Sequence, residues 1–188
     1  MPHIALEQGV PGIVAGFQFR PETAKPMRDL AEILLRGPNT LTSAEREAIA
    51  ASVSNGNECR FCQLSHSAAA AEHRGGREAD YRWIEEVKAQ PERADISPKL
   101  RALLQIAGKV REGGKKVTTA DVAAAREHGA TDREIHDTVL IAAAFCMYNR
   151  YVDGLATWQP EGIEAYKPMG QRMAHDGYAQ PTEPMGAR

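Results

Sequence analysis

Cys59-Arg60-Phe61-Cys62 is a CxxC pair, and His66 follows four residues after its second thiol. On a helix, Cys59 and Cys62 are i,i+3 neighbours and Cys62 and His66 are i,i+4 neighbours, so all three side chains share one stripe. A cysteine in the first turn of a helix meets free backbone N–H groups and the positive end of the dipole, and both favour the nucleophilic thiolate. Cys59 is expected in that turn. A histidine one turn beyond Cys62 can take or return a proton at its sulfur. Glu47 joins the group if Asn55-Gly56 reverses the chain. It lies nine residues before Gly56 and His66 lies ten after it. At about 1.5 Å per residue, both sit roughly 13–15 Å from the turn, at nearly equal height on antiparallel helices. A carboxylate there can hold the imidazole in one tautomer and raise its basicity.

The same residues admit blander readings. Glu47 is equally explained as a solvated residue paired with an arginine. Two cysteines and a histidine are three zinc ligands, but structural zinc takes four, and no second CxxC exists in the chain. Three ligands within one helix also make an awkward tetrahedral cage. A thioredoxin-type domain places CxxC after a strand, and no strand pattern precedes Cys59. Two buried structural cysteines remain a further alternative.

The elements around this group read as helices. Alanine and leucine are abundant and alternating β-branched runs are nearly absent, which predicts an all-α fold. Residues 1–22, with Gly9-Val10-Pro11-Gly12 and Pro21, read as an extended N-terminal arm. A first helix is expected from Pro21 to Arg36, stopped by Gly37-Pro38. Thr42 with Glu45 three residues on fits a capping box for a helix through Ala44–Val53, broken by Asn55-Gly56. The CxxC helix is expected from near Asn57 through Ala68–Ala71, ending at Gly75-Gly76. A short helix spans Glu78–Lys88. Ser97-Pro98 starts another, running to Glu112. Thr118 or Thr119 caps Ala120–His128, and Thr131 caps the last long helix, reaching Asp153. Residues 23–160 are thus the helical domain. Residues 161–188 are a C-terminal extension, with a short helix near Ile163–Met173 and a tail over the last dozen residues.

Composition bounds the function. The chain has 188 residues, 43% hydrophobic and 26% charged, with a formal net charge of -2. That is the mixture of an ordinary globular protein, without the basic field that holds a nucleic acid backbone. The longest apolar run, Val139–Tyr148, falls short of the roughly 18–20 residues that span a bilayer. The N-terminus has no basic and apolar leader pattern, so a cytoplasmic location is expected. Three cysteines, two of them in CxxC, then suggest redox or metal chemistry and not a disulfide scaffold.

Glu47, eleven intervening residues and Cys59-x-x-Cys62-x-x-x-His66 together resemble the signature of the AhpD-like alkylhydroperoxidases of the carboxymuconolactone decarboxylase superfamily. The run from Leu41 to His66 is similar to the branch called peroxidase-related proteins, as are Phe19-Arg20-Pro21-Glu22 ahead of it and Asn149-Arg150-x-x-Asp153 behind. The resemblance covers roughly residues 10–160. It implies an all-α fold built on antiparallel helix hairpins, and homo-oligomers, commonly trimers or hexamers. It implies that Cys62 is the peroxidatic cysteine and that Cys59 donates a proton and then closes the disulfide. His66 and Glu47 would be the proton relay. Well-known members carry a second histidine between the cysteines, where this chain has Arg60-Phe61. The decarboxylase branch generally lacks the CxxC pair.

The expected activity is a thiol-dependent peroxidase serving antioxidant defence, with a peroxide substrate and a dithiol reductant, protein or small molecule. No flavin or haem signature is present, so no cofactor and no metal are expected. The alternatives are a non-enzymatic oligomeric protein that senses redox state or binds a metal, and a carboxymuconolactone decarboxylase-like enzyme. Cys146 reads as a core residue, and His128 as a helix C-terminal residue. His73 and His136 read as surface or partly buried side chains. Asn149 and Arg150 read as an oligomer contact or as partners of Asp153, and Trp83 and Trp158 as packing residues.

Overall fold

Residues 1–179 are described by the structure, a computed structural model. They form nine α-helices, two short 3-10 turns and no strand. Pro21–Arg36 (α2), Ser43–Gly56 (α3), Arg60–Glu72 (α4) and Glu78–Ala89 (α5) follow a first helix, Gly12–Phe19 (α1). Pro98–Glu112 (α6), Thr119–Glu127 (α7), Asp132–Gly154 (α8) and Lys167–Asp176 (α9) complete the set. None is long and apolar enough to cross a membrane.

The helix starts are set by local chemistry. Thr42, Thr118 and Thr131 each accept from the N3 backbone N–H, while Glu45, Asp121 and Glu134 return to the cap's own N–H. Ser97 caps α6 at the Leu100 N–H with Pro98 at its first position. The arm differs from its expected extended form. Residues 12–19 are helical and pack on α2 and α8. Pro11 is the N-cap, Gly12 starts the helix at φ 52° beneath the Phe61 ring, and Gly16 lies buried within it.

The hairpin of α3 and α4 lies at the centre. Its residues Ala48–Ala51 and Ala68–Ala71 are wholly buried, so these helices are covered on every side and lack an amphipathic pattern. α8 and α6 pack on α3, α5 packs on α4, and α9 lies along α4. Alanine lets backbones approach closely, and the α9 contact uses this fully. A Cβ on Gly170 would stand 2.6 Å from the Ala68 carbonyl carbon, so only glycine fits there without displacing a backbone. The C-terminal extension is therefore part of the packed body up to α9, whereas residues 180–188 of the expected tail lie outside the described residues.

Candidate active site

The reversal between α3 and α4 falls two residues later than Asn55-Gly56 suggests. α3 continues through Gly56, and Glu58 adopts the left-handed conformation at φ 61°. The Cys59 N–H bonds the Ser54 carbonyl and the Glu58 N–H bonds the Asn55 carbonyl, the paired bonds of a Schellman ending. Glu58 takes a position usually given to glycine, so the backbone is held in a costly conformation immediately before the CxxC pair. Asn149 of α8 braces this turn. It accepts from Asn57 Nδ2 at 2.8 Å and donates to Ser54 Oγ at 3.0 Å.

Cys59 is the N-cap of α4 and not a residue of its first turn. Both thiols are free, with Cys59 0% and Cys62 3% exposed. The Cys59 thiol is hydrogen-bonded to Cys62. That bond, then burial, then negative charge at Cys62 and at Asp153 push its pKa far above the usual thiol value. The dipole argument for a thiolate at Cys59 is therefore overturned, because the bond to the second sulfur and desolvation outweigh it. In this arrangement a thiolate at Cys59 is disfavoured. Asp153 stands on the other side of Cys59. Burial raises its pKa, and the hydrogen bond with the Cys59 thiol partly offsets the rise.

Glu47 and His66 meet across the hairpin. Glu47 is 0% and His66 9% exposed, and Nδ1–H of His66 donates to Glu47 Oε2 at 2.7 Å. This contact fixes the imidazole tautomer and leaves Nε2 as the nitrogen available for proton traffic. The Phe145 ring meets the imidazole edge-on at 4.5 Å between centroids. Cys62 and His66 share α4 one turn apart. The four predicted side chains thus form two contacts, Cys59 with Cys62 and His66 with Glu47, on adjoining turns of one hairpin.

Two neighbours were not legible as site residues. Asp153 reads in the sequence only as one of two alternatives for Asn149 and Arg150, and Arg150 donates to its own helix carbonyl at Cys146. Tyr178 falls in the expected tail. Its O–H donates to Glu47 Oε1. No spacing rule connects a tyrosine beyond the last helix to a hairpin more than a hundred residues earlier.

A largely apolar cavity reaches the imidazole. Phe17, Met27, Phe145, Tyr148 and Met169 form its walls, with Arg28 and Arg172 among its lining. The cavity volume is about 80 Å³. Between the cysteines stand Arg60 and Phe61. The Phe61 side chain is buried and packs on Tyr166, ring centroids 5.8 Å apart. Among the described residues no cluster of metal-ligating side chains is present.

Comparison with known proteins agrees with this architecture. The model of the Carboxymuconolactone decarboxylase family matches residues 21–90, which hold α2 to α5 and the whole CxxC hairpin. A solved structure of an uncharacterized peroxidase-related protein from Silicibacter sp. TM1040 is 27% identical, with a TM-score of 0.73 over 84% of this chain and 78% of that one. Another, described as an alkylhydroperoxidase AhpD core and uncharacterized peroxidase-related protein from Ralstonia eutropha JMP134, is 28% identical. Its TM-score is 0.74, over 86% of this chain and 81% of its own. A protein of unknown function from Agrobacterium tumefaciens, described as a putative antioxidant defence protein AhpD, shares the fold at 23% identity. Its TM-score is 0.64, over 78% of this chain and 97% of that one. No curated protein matches the sequence. The helical hairpin and its CxxCxxxH stripe lie within the part of the chain that resembles the Carboxymuconolactone decarboxylase family, and the whole helical body is similar to the solved AhpD-like peroxidase-related proteins.

Proposed function

We propose that the protein is a thiol peroxidase that reduces organic peroxides through Cys62 and Cys59. The observation that carries this reading is the asymmetry of the two thiols. The hydrogen bond to Cys62 and burial disfavour a thiolate at Cys59, which makes Cys62 the attacking sulfur in this reading. Its thiolate attacks one peroxide oxygen, the O–O bond breaks, and the leaving alkoxide takes a proton. His66, oriented by Glu47, is placed one turn away to move protons between thiol and leaving group. Cys62 becomes a sulfenic acid and the peroxide an alcohol. The Cys59 sulfur then attacks the sulfenic sulfur, releasing water and forming a disulfide. A dithiol reductant restores both thiols by exchange. The small apolar cavity beside His66 favours an apolar group over a charged one on the peroxide. Antioxidant defence in the cytoplasm is the role that such chemistry serves, and the residues need no bound cofactor for it.

The test is consumption of an organic hydroperoxide by the reduced protein with a dithiol donor. Turnover that disappears in Cys62→Ser supports the reading. Equal consumption by wild type and Cys62→Ser contradicts it.

A further inference from the structure

Tyr178 is brought to the site by a sequence of specific contacts. Gly170 seats α9 against Ala68. Arg36 of α2 then caps the end of α9, donating to the carbonyls of Met173 at 3.0 Å and Ala174 at 2.5 Å. Gly177 turns the chain at φ 78°, where a Cβ would collide with the Glu32 carboxylate. That carboxylate accepts the Tyr178 N–H at 2.7 Å. The ring then lies parallel to the His66 imidazole, with centroids 5.9 Å apart and planes at 11°. Its hydroxyl reaches Glu47 Oε1 and comes within 3.4 Å of His66 Nδ1.

A carboxylate at 0% exposure therefore has a donor on each oxygen, His66 on one and Tyr178 on the other. We propose that Tyr178 is a positioning residue of the His66–Glu47 pair, its phenol holding Glu47 in the charge and orientation that keep the imidazole proton on Nδ1. Donors to a buried carboxylate favour its ionised form, and an ionised partner raises the proton affinity of the imidazole it faces. The phenol suits the task. Burial first, then the charge of Glu47 and the hydrogen bond to it, hold its own pKa well above the usual tyrosine value, so it remains a donor. The role in turnover rests on the peroxidase reading; the contact with Glu47 does not.

Other charged groups bear on the pair. α2 contributes Arg28, Glu32 and Arg36, and α3 contributes Arg46, whose guanidinium donates to the Leu34 and Gly37 carbonyls at the end of α2. His73 of α4 feels the charge of Glu47, and burial lowers its pKa. From α9 come Arg172, which faces the phenol, and His175, which acts on His73. α8 presents Tyr148, a phenol pushed up to about 12 by burial.

The experiment compares wild type, Tyr178→Phe and protein carrying 3-fluorotyrosine at position 178. Phenylalanine keeps the stacked ring and removes the donor; fluorination makes the same phenol a stronger donor. The readouts are the ¹⁵N titration of the His66 ring and the rate of Cys62 alkylation against pH. In Tyr178→Phe the imidazole should release its proton at lower pH. The alkylation midpoint should rise by about one pH unit, roughly a tenfold loss of rate below it. The fluorinated protein should move the imidazole the opposite way. A histidine titration identical in all three proteins overturns the proposal, even if Tyr178→Phe melts earlier. Because that titration needs no peroxide, it stands whether or not the protein turns over peroxide.

Discussion

Cys59 and Cys62 are three residues apart and chemically unlike, and the difference comes from what surrounds each sulfur. Cys59, the N-cap of α4, is hydrogen-bonded to its partner thiol, buried and faced by Asp153, and each of these pushes its pKa up. Asp153→Asn should remove one of these influences, so that the Cys59 thiol titrates at lower pH, as read by thiolate absorbance in a Cys62→Ser background. No change would place Asp153 outside the site. His66→Ala should slow peroxide reduction by about 10²–10⁴-fold, the usual worth of a general base. Glu47→Gln should also slow it. The double variant should lose little more than His66→Ala alone, since the two act through one hydrogen bond; fully additive losses in stopped-flow rates would separate them. The CxxCxxxH stripe and Glu47 were legible because helical periodicity fixes their relative places. Asp153 and Tyr178 were not, because their proximity is made by tertiary packing.

The elements divide in the same way. α6 is announced by Ser97 before its first turn and Gly113 after its last, α8 by its Thr131 cap, and α2 by Pro21 at its start and Gly37 at its end. α1 was hidden by the glycines and prolines around it, and the α3–α4 reversal was displaced because Glu58, not glycine, takes the left-handed position. The α9 contact is a property of two helices together. Gly170→Val should therefore cost about 1–3 kcal/mol in denaturant unfolding, the usual range for overpacking a tight contact. It should also weaken the Tyr178 placement; unchanged stability would mean that α9 yields freely. Glu134 offers a pH test at the start of α8. Burial acts to raise its pKa, but Lys99 at 2.7 Å, the Thr131 backbone N–H and Thr40 together bring it below the ordinary value. Its stabilising effect is present above the unfolded carboxyl value of about 4.3 and fades as pH falls through the lower folded value. Glu134→Gln should flatten that acid limb of the stability curve, and an unaltered limb would contradict the assignment.

At the scale of the molecule, the small side chains of α3, α4 and α9 make a dense body that leaves several large apolar groups outside. Phe19, Ile33, Met147 and Trp158 are exposed in the single chain. On these exposed groups, and on the oligomers that the resemblance of the sequence implies, we propose homo-oligomerisation. Light scattering should give a multiple of the chain mass at micromolar concentration, whereas a mass near 20.5 kDa would refute it. The alkaline side of stability follows from the core phenols and the buried thiol. Tyr178 and Cys59 both have folded pKa values raised above their unfolded ones. Their contribution is complete below the unfolded values, about 10 for tyrosine and 8.5 for cysteine, and is lost as pH rises toward the folded ones.

The central claim is that peroxide oxidises Cys62 first and that Cys59 resolves it. Peptide mass mapping after one equivalent of an organic hydroperoxide tests it most directly. Wild type should show a loss of two protons confined to the peptide that carries both residues, and Cys59→Ser should show a sulfenic acid trapped at Cys62. Two thiols still free to alkylate, or a bridge to Cys146, would contradict the account.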